Sequence, residues 1–143
     1  MNLISFPVRY YQDEGGNWNA EFPDLEGCLT CGETLEEVKV FAVEALTGYL
    51  LASDADAYGL LKNVTADGDT VTPELPVALA LTIRKMRLAA RLNQGEAAER
   101  IGVSQQTYRR WENPELCNAT AETIAKIAKA FGRRVEMSFP EAS

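Results

Sequence analysis

Two adjacent glutamines, Gln105 and Gln106, stand ahead of two arginines, Arg109 and Arg110, in the stretch IGVSQQTYRRWE at 101–112. A glutamine amide donates and accepts at once, which matches the acceptor and donor that adenine shows at N7 and N6 in the major groove. A guanidinium matches guanine or a phosphate in the same way, which suits Arg110. Thr107 and Arg109 fit contacts to the phosphate backbone rather than to base edges. This chemistry is recognition of double-stranded DNA, and it works only if one rigid helix presents these side chains together.

Other chemistries are poorly supplied. The chain has no histidine, so the commonest general base, metal ligand and partner of a nucleophile is missing. Glu21, with Asp24, Glu26 and Glu33 in flanking loops, offers one strand carboxylate without a second on a neighbouring strand. That is a poor cage for magnesium. The motif CLTC at 28–31 lies in a strand-like run, where residues three apart face opposite sides. A redox pair needs a helix N-terminus, and a zinc site needs four ligands where only Cys117 remains. The expectation is no enzyme, no metal and no cofactor.

The elements that position the glutamines are legible. Asn93 caps a short helix over 94–100, Gly102 makes a turn, and Ser104 caps a second helix over 105–112. Two short helices across a tight glycine turn form a helix-turn-helix, whose second helix enters the major groove. Ala98, Ile101, Val103, Tyr108 and Trp111 are placed to meet in its core. A longer helix over 76–92 precedes it, with Leu79, Ile83, Met86 and Ala90 at helical spacing. Arg84, Lys85, Arg87 and Arg91 fall largely on its other, solvated side. A helix over 120–132 follows, with Thr120 near its cap and Gly132 as its stop.

The last segment, RRVEMSF at 133–139, alternates, with Val135, Met137 and Phe139 on one side. A lone strand cannot satisfy its own backbone. Pairing with the same strand of a second chain would make a homodimer, with two recognition helices about 34 Å apart. Whether dimers pair into tetramers is left open.

Residues 77–132 resemble the lambda-repressor/Cro-like helix-turn-helix family through Gln94, Ala98, Gly102, Val103, Ser104, Gln105, Trp111 and Glu112. The resemblance implies a DNA interface of Gln94, Ser104, Gln105, Gln106, Thr107, Arg109 and Arg110, with Gln94 as a phosphate or adjacent-base anchor. Two positions depart from it. Arg91 stands where the family often has glycine, so a left-handed backbone there would carry strain. Pro114 replaces the usual glycine after WEN, which gives the next loop another shape.

The first half has another grammar. Residues 3–11 are rich in β-branched and aromatic side chains, Trp18, Ala20 and Phe22 alternate, and Gly15 and Gly16 suit the hairpin between them. A third strand fits 29–32. The period then changes. Leu35, Val38, Phe41, Ala42, Ala45, Leu46 and Tyr49 mark one face of a helix of about 18 residues, capped by Thr34 and Glu37. Residues 53–75 read as a connector with one more short strand near 70–72.

This order resembles the HicB antitoxin family over about 3–51. The matching residues are Gly16, Trp18, Glu21, Pro23, Asp24, Gly27, Gly32, Thr34 and Glu37. The resemblance implies a reduced RNase H-like βββαβ unit that binds and blocks HicA, a small basic ribonuclease toxin that cleaves mRNA. Many HicB antitoxins also carry a helix-turn-helix domain.

Charge partition fits both resemblances. The 143-residue chain has a formal net charge of −7. Residues 1–75 hold three basic and 14 acidic side chains, and residues 76–143 hold 11 basic and seven acidic ones. An anionic half suits a basic protein, with Asp24, Glu26, Glu33 and Glu36 as candidate toxin contacts, and a cationic half suits operator DNA. The expected fold is α+β, with a domain at 1–75 and an all-α helix-turn-helix domain at 76–143 ending in a short strand. No apolar run reaches membrane-span length and no signal peptide opens the chain, so a cytoplasmic, membrane-free protein is expected. The competing readings are a stand-alone regulator whose first domain binds another protein or ligand, and an enzyme with an accessory DNA-binding domain.

Overall fold

The structure, a computed structural model, describes residues 2–53, 68–139 and 141. It is α+β and divides into two compact units, Ser5–Glu74 and Met1–Ile4 with Leu75–Ala142. Most of the expected connector, residues 54–67, lies outside the described residues.

In the first unit, β2 (Arg9–Gln12), β3 (Trp18–Glu21) and β4 (Leu29–Gly32) form an antiparallel sheet in that order. Arg9, Glu21 and Leu29 share one row of the register, and Tyr11, Asn19 and Cys31 share another. A separate two-stranded ribbon joins β1 (Phe6–Pro7) to β5 (Thr70–Val71). The single strand expected over 3–11 is therefore broken. Phe6 and Pro7 pair with Val71 and Thr70, the Val8 N–H extends that ladder to the Asp69 carbonyl at 2.9 Å, and from Arg9 the chain pairs with β3 instead. Ile4 belongs to the other unit, where its N–H donates to Thr82 Oγ1 at 2.9 Å.

Helix α1 (Leu35–Ala52) starts where Thr34 Oγ1 accepts from the Glu37 N–H at 3.1 Å. It buries Val38, Ala42, Leu46 and Leu50, a stripe at four-residue spacing, and packs on β4 and β3. The approach is close at Gly32, where a Cβ would stand 3.1 Å from the Val38 nitrogen. Phe6, Val8, Ala20, Phe22, Leu25, Cys28 and Val71 are also buried in this unit.

The second unit is helical, with α2 (Leu75–Ala89), α3 (Gln94–Ile101), α4 (Gln105–Trp111) and α5 (Ala121–Ala130). Ile83, Met86, Ala97, Ala98, Ile101, Tyr108 and Ile127 form its core, flanked by Val103, Trp111 and Phe131. No helix among the described residues is long and apolar enough to cross a membrane.

Helix α2 stops earlier than its apolar period suggests, through a Schellman closure. The Leu92 N–H donates to the Arg87 carbonyl at 3.3 Å and the Arg91 N–H to the Leu88 carbonyl at 3.0 Å. Arg91 sits at φ 58°, the only positive φ outside glycine among the described residues. Helix α5 closes the same way, but with Gly132 at φ 68°. The left-handed conformation costs a side-chain-bearing residue about 1–2 kcal/mol, against about 0.5–1 kcal/mol of extra backbone entropy that glycine loses on folding. Arg91→Gly should therefore stabilise by roughly 0.5–1 kcal/mol and raise Tm by about 2–4 °C. A thermal melt showing a lower Tm would refute strain at Arg91.

Residues 133–139 pair as a strand with no described segment of this chain. A strand needs a neighbour's N–H and C=O groups, and no segment of the described chain supplies them. Met137 and Phe139 stand 66% and 88% exposed, and Val135 is half-buried.

Candidate nucleic-acid interface

The geometry begins with caps. Asn93 Oδ1 accepts from the Glu96 N–H at 2.8 Å while Glu96 Oε1 accepts from the Asn93 N–H at 3.1 Å, a complete capping box that fixes where α3 starts. Gly102, at φ 91°, makes the turn. Ser104 Oγ then accepts from the Thr107 N–H at 3.2 Å and starts α4. Tyr108 anchors α4 from the inside, edge-on to Trp111 at 6.1 Å between ring centroids.

With Tyr108 turned inward and Trp111 packed against the core, the other side chains of α4 face out. Ser104, Gln105, Gln106, Thr107, Arg109 and Arg110 are all exposed. Gln106, Arg109, Arg110 and Asn113 follow helical spacing and line an open cleft with Thr107 and Leu116. Asn113 and Leu116 were not found from sequence. Asn113 comes after α4, where Asn113 Oδ1 accepts from the Glu115 N–H at 2.9 Å, and this turn swings Leu116 beside the helix. The Asn-Pro step was a signal for the turn, but not for its direction.

Gln94 is half-buried, and its side-chain amide donates to Glu112 Oε1 at 3.3 Å. Glu112 is fully buried. Arg84 Nε reaches its Oε1 at 3.1 Å, and Arg87 grips both carboxylate oxygens, Nε to Oε2 at 2.7 Å and Nη2 to Oε1 at 3.0 Å. Arg87 also donates from Nη1 to the Leu92 carbonyl at 2.9 Å. The solvated reading of Arg84 and Arg87 is thus overturned, because both are largely withdrawn from water around one carboxylate. Arg91 is exposed.

The two arginines respond differently to this shared partner. Two-pronged hydrogen bonding to Glu112 outweighs burial at Arg87 and raises its pKa, whereas burial dominates at Arg84 and lowers it. Burial, reinforced by the Glu112 carboxylate, pushes the Tyr108 phenol well above the ordinary phenol range. Its hydroxyl lies beside Glu112 and Arg87, yet makes no hydrogen bond of sound geometry among the described residues.

The acidic candidates are in the other unit. Asp24, Glu26, Glu33 and Glu36 are all exposed, but they do not form one cluster. Asp24 and Glu26 precede β4, and Glu33 and Glu36 follow it. Glu21 pairs with Arg9 at 2.7 Å. No group of three or more carboxylates and thiols among the described residues is arranged to hold a metal. Cys28 is buried, with its thiol pKa raised by burial, while Cys31 is exposed.

Comparison with known proteins agrees with both halves. The helix-turn-helix family model matches residues 83–137. Antitoxin HicB 1 of Photorhabdus laumondii subsp. laumondii is 30% identical over 136 residues, covering 94% of this chain and 86% of that protein. The chain belongs to the HicB antitoxin family. Antitoxin HicB 2 of the same organism is 28% identical over 135 residues, covering 94% of this chain and 95% of its own length. Both HicB alignments thus span most of the chain, well beyond the helix-turn-helix match.

Proposed function

We propose that this HicB-family chain is the antitoxin of a type II toxin–antitoxin system. It binds and neutralises a small basic HicA-like ribonuclease through the Ser5–Glu74 unit, read as a reduced RNase H-like βββαβ fold. It represses its own operon by binding operator DNA through the helix-turn-helix. The observation that carries this reading is the exposed row Gln105, Gln106, Arg109 and Arg110 on a capped, core-anchored helix, in a half with 11 basic and seven acidic side chains. The acidic half, with its 14 carboxylates, suits a cationic protein rather than a polyanion. Both partners are cytoplasmic, and no catalysis is assigned to this chain.

The deciding experiment is co-expression with the adjacent open reading frame. Growth arrest by that product alone, relieved by this chain, supports the antitoxin reading, and a harmless neighbour leaves the stand-alone regulator. Operator binding is read separately, by mobility shift on the promoter fragment upstream of both genes.

Operator binding is expected to be dimeric. Val135, Met137 and Phe139 alternate along a segment that pairs with no strand among the described residues, and pairing it with a second copy would satisfy its backbone and cover Phe139. Removing residues 133–143 should give a monomer by light scattering and weaken operator binding by about tenfold or more, because two half-sites are no longer held together. A truncated chain that stays dimeric rules out this pairing.

A further inference from the structure

We propose that Gly95 sets which base Gln105 prefers, by leaving the Gln105 carboxamide a seat on the first turn of α3. The inference rests on the operator-binding reading and adds to it a positioning residue that touches no base itself.

Gln105 differs from the other exposed side chains of α4. Gln106, Arg109 and Arg110 line the open cleft along the helix, whereas Gln105 is turned toward α3. A Cβ placed on Gly95, the second residue of α3, would stand 3.4 Å from Gln105 Oε1 and 3.8 Å from its carboxamide carbon. The third near atom is Asn93 Oδ1 at 3.4 Å, which the Glu96 N–H of the capping box holds in place. All three atoms belong to side chains, so close backbone packing is not what calls for glycine here. Glycine is a poor helix former, and what it provides at this position is room beside Gln105. Gln94 does not compete for that room, because its amide turns inward to the buried Glu112 Oε1 at 3.3 Å. The room is also limited. A methyl group at 95 meets its neighbours at ordinary contact distance, and a longer side chain runs into the carboxamide.

The seat has a chemical consequence. The carboxamide oxygen is the acceptor of the group, and it lies nearest α3, whose first turn is electropositive. The amide nitrogen, a donor, is what remains for DNA. Adenine and guanine both show an acceptor at N7, and only adenine adds a donor at N6. A glutamine with its oxygen seated does not tell the two purines apart. Displaced from the seat, it regains the two-point match to adenine. Position 95 therefore selects between purine recognition and adenine recognition at one base pair.

The test uses the full chain and double-stranded oligonucleotides from the promoter fragment that it shifts, with each base pair of a half-site replaced in turn. Gln105→Ala locates the pair that Gln105 reads, as the one whose discrimination it removes. At that pair the parent should bind adenine and guanine within about threefold of each other. Gly95→Leu keeps a good helix former in α3. It should favour adenine there by about tenfold or more and leave every other pair within about twofold of the parent. Gly95→Ala, which fits the seat, should behave as the parent does. In a Gln105→Ala background Gly95→Leu should leave base preference unchanged, since no carboxamide remains to be displaced. Melting temperatures verify that each variant folds. The inference is overturned by an unchanged preference in Gly95→Leu, by a uniform loss across all pairs, or by a shift that persists in the Gln105→Ala background. A parent that already prefers adenine, or a Gln105→Ala variant that alters no pair, overturns it as well. If the parent shifts no promoter fragment, the operator reading fails, and this inference fails with it.

Discussion

Replacing Glu112 with alanine is expected to destabilise the helix-turn-helix unit by about 3–5 kcal/mol, enough to unfold it at moderate temperature. The carboxylate is fully buried and receives Arg84, Arg87 and the Gln94 amide. Those groups come from α2 and the first residue of α3, and Glu112 itself caps α4. Its removal takes away the carboxylate shared by two guanidiniums that are largely withdrawn from water. A surface pair would be worth little, and burial is what makes this loss large. Glu112→Gln should cost less, because the amide oxygen still accepts one hydrogen bond. The sharper expectation concerns the group as a whole. Replacing Arg84 and Arg87 with methionine and Glu112 with leucine should recover most of the stability, since the three buried charges are removed together. Recovery stops short of complete, because the Leu92 carbonyl loses Arg87 Nη1. Trp18 and Trp111 stand one in each unit, so a Trp18→Phe background makes Trp111 fluorescence report on this unit alone. A Glu112→Ala melt matching the parent would falsify the buried triad as a stability determinant.

This triad also marks the limit of what the sequence discloses. Arg84 and Arg87 lie three apart on a helix whose other face is apolar, which is the ordinary pattern of a solvated stripe. Their partner lies 28 and 25 residues away, and nothing local distinguishes Glu112 from a surface acid. By contrast, features set by neighbours in the chain were legible. Thr34, Asn93, Ser104 and Thr120 each mark a helix start by a side chain accepting from a nearby N–H, and Gly102 marks the turn. The left-handed Arg91 followed from a position where glycine is usual. The core residues Ala98, Ile101 and Tyr108 followed from helical spacing.

Strands were less legible, because a strand is completed by a partner. The run 3–11 has uniform β character, but between Pro7 and Arg9 it changes partner from β5 to β3, and Ile4 bonds within the other unit. The alternation in 133–139 shows which side chains share a side, yet cannot supply the neighbour that would make it a strand. The cross-strand rows of the sheet were hidden for a similar reason. Arg9, Tyr11, Asn19, Glu21, Leu29 and Cys31 come from three short runs, and only the register reveals that they lie together.

Changing Gln105, Gln106 and Arg110 together to alanine should abolish specific operator binding while leaving the fold intact. The three side chains are exposed and make no hydrogen bond or ion pair within the described chain that supports the core. Alanine is a good helix former, and the Ser104 cap is untouched, so stability should stay within about 0.5 kcal/mol. Each base contact of this type is worth about 1–3 kcal/mol of discrimination, so the triple change should lower operator affinity by roughly a hundredfold or more. The salt dependence then separates roles. If Arg110 reads guanine, the logarithmic slope of affinity against salt stays as in the parent; if it grips a phosphate, the slope falls by about one. Toxin neutralisation should be unaffected, because the changes lie in the other unit. Changing Asp24, Glu26, Glu33 and Glu36 to their amides should do the reverse, slowing toxin association and sparing operator binding. Mobility shift and growth rescue, run in parallel on both sets, test the division. If each set impairs both activities, the two units do not act separately, and segregation of charge along the chain no longer explains how one anionic protein serves two oppositely charged partners.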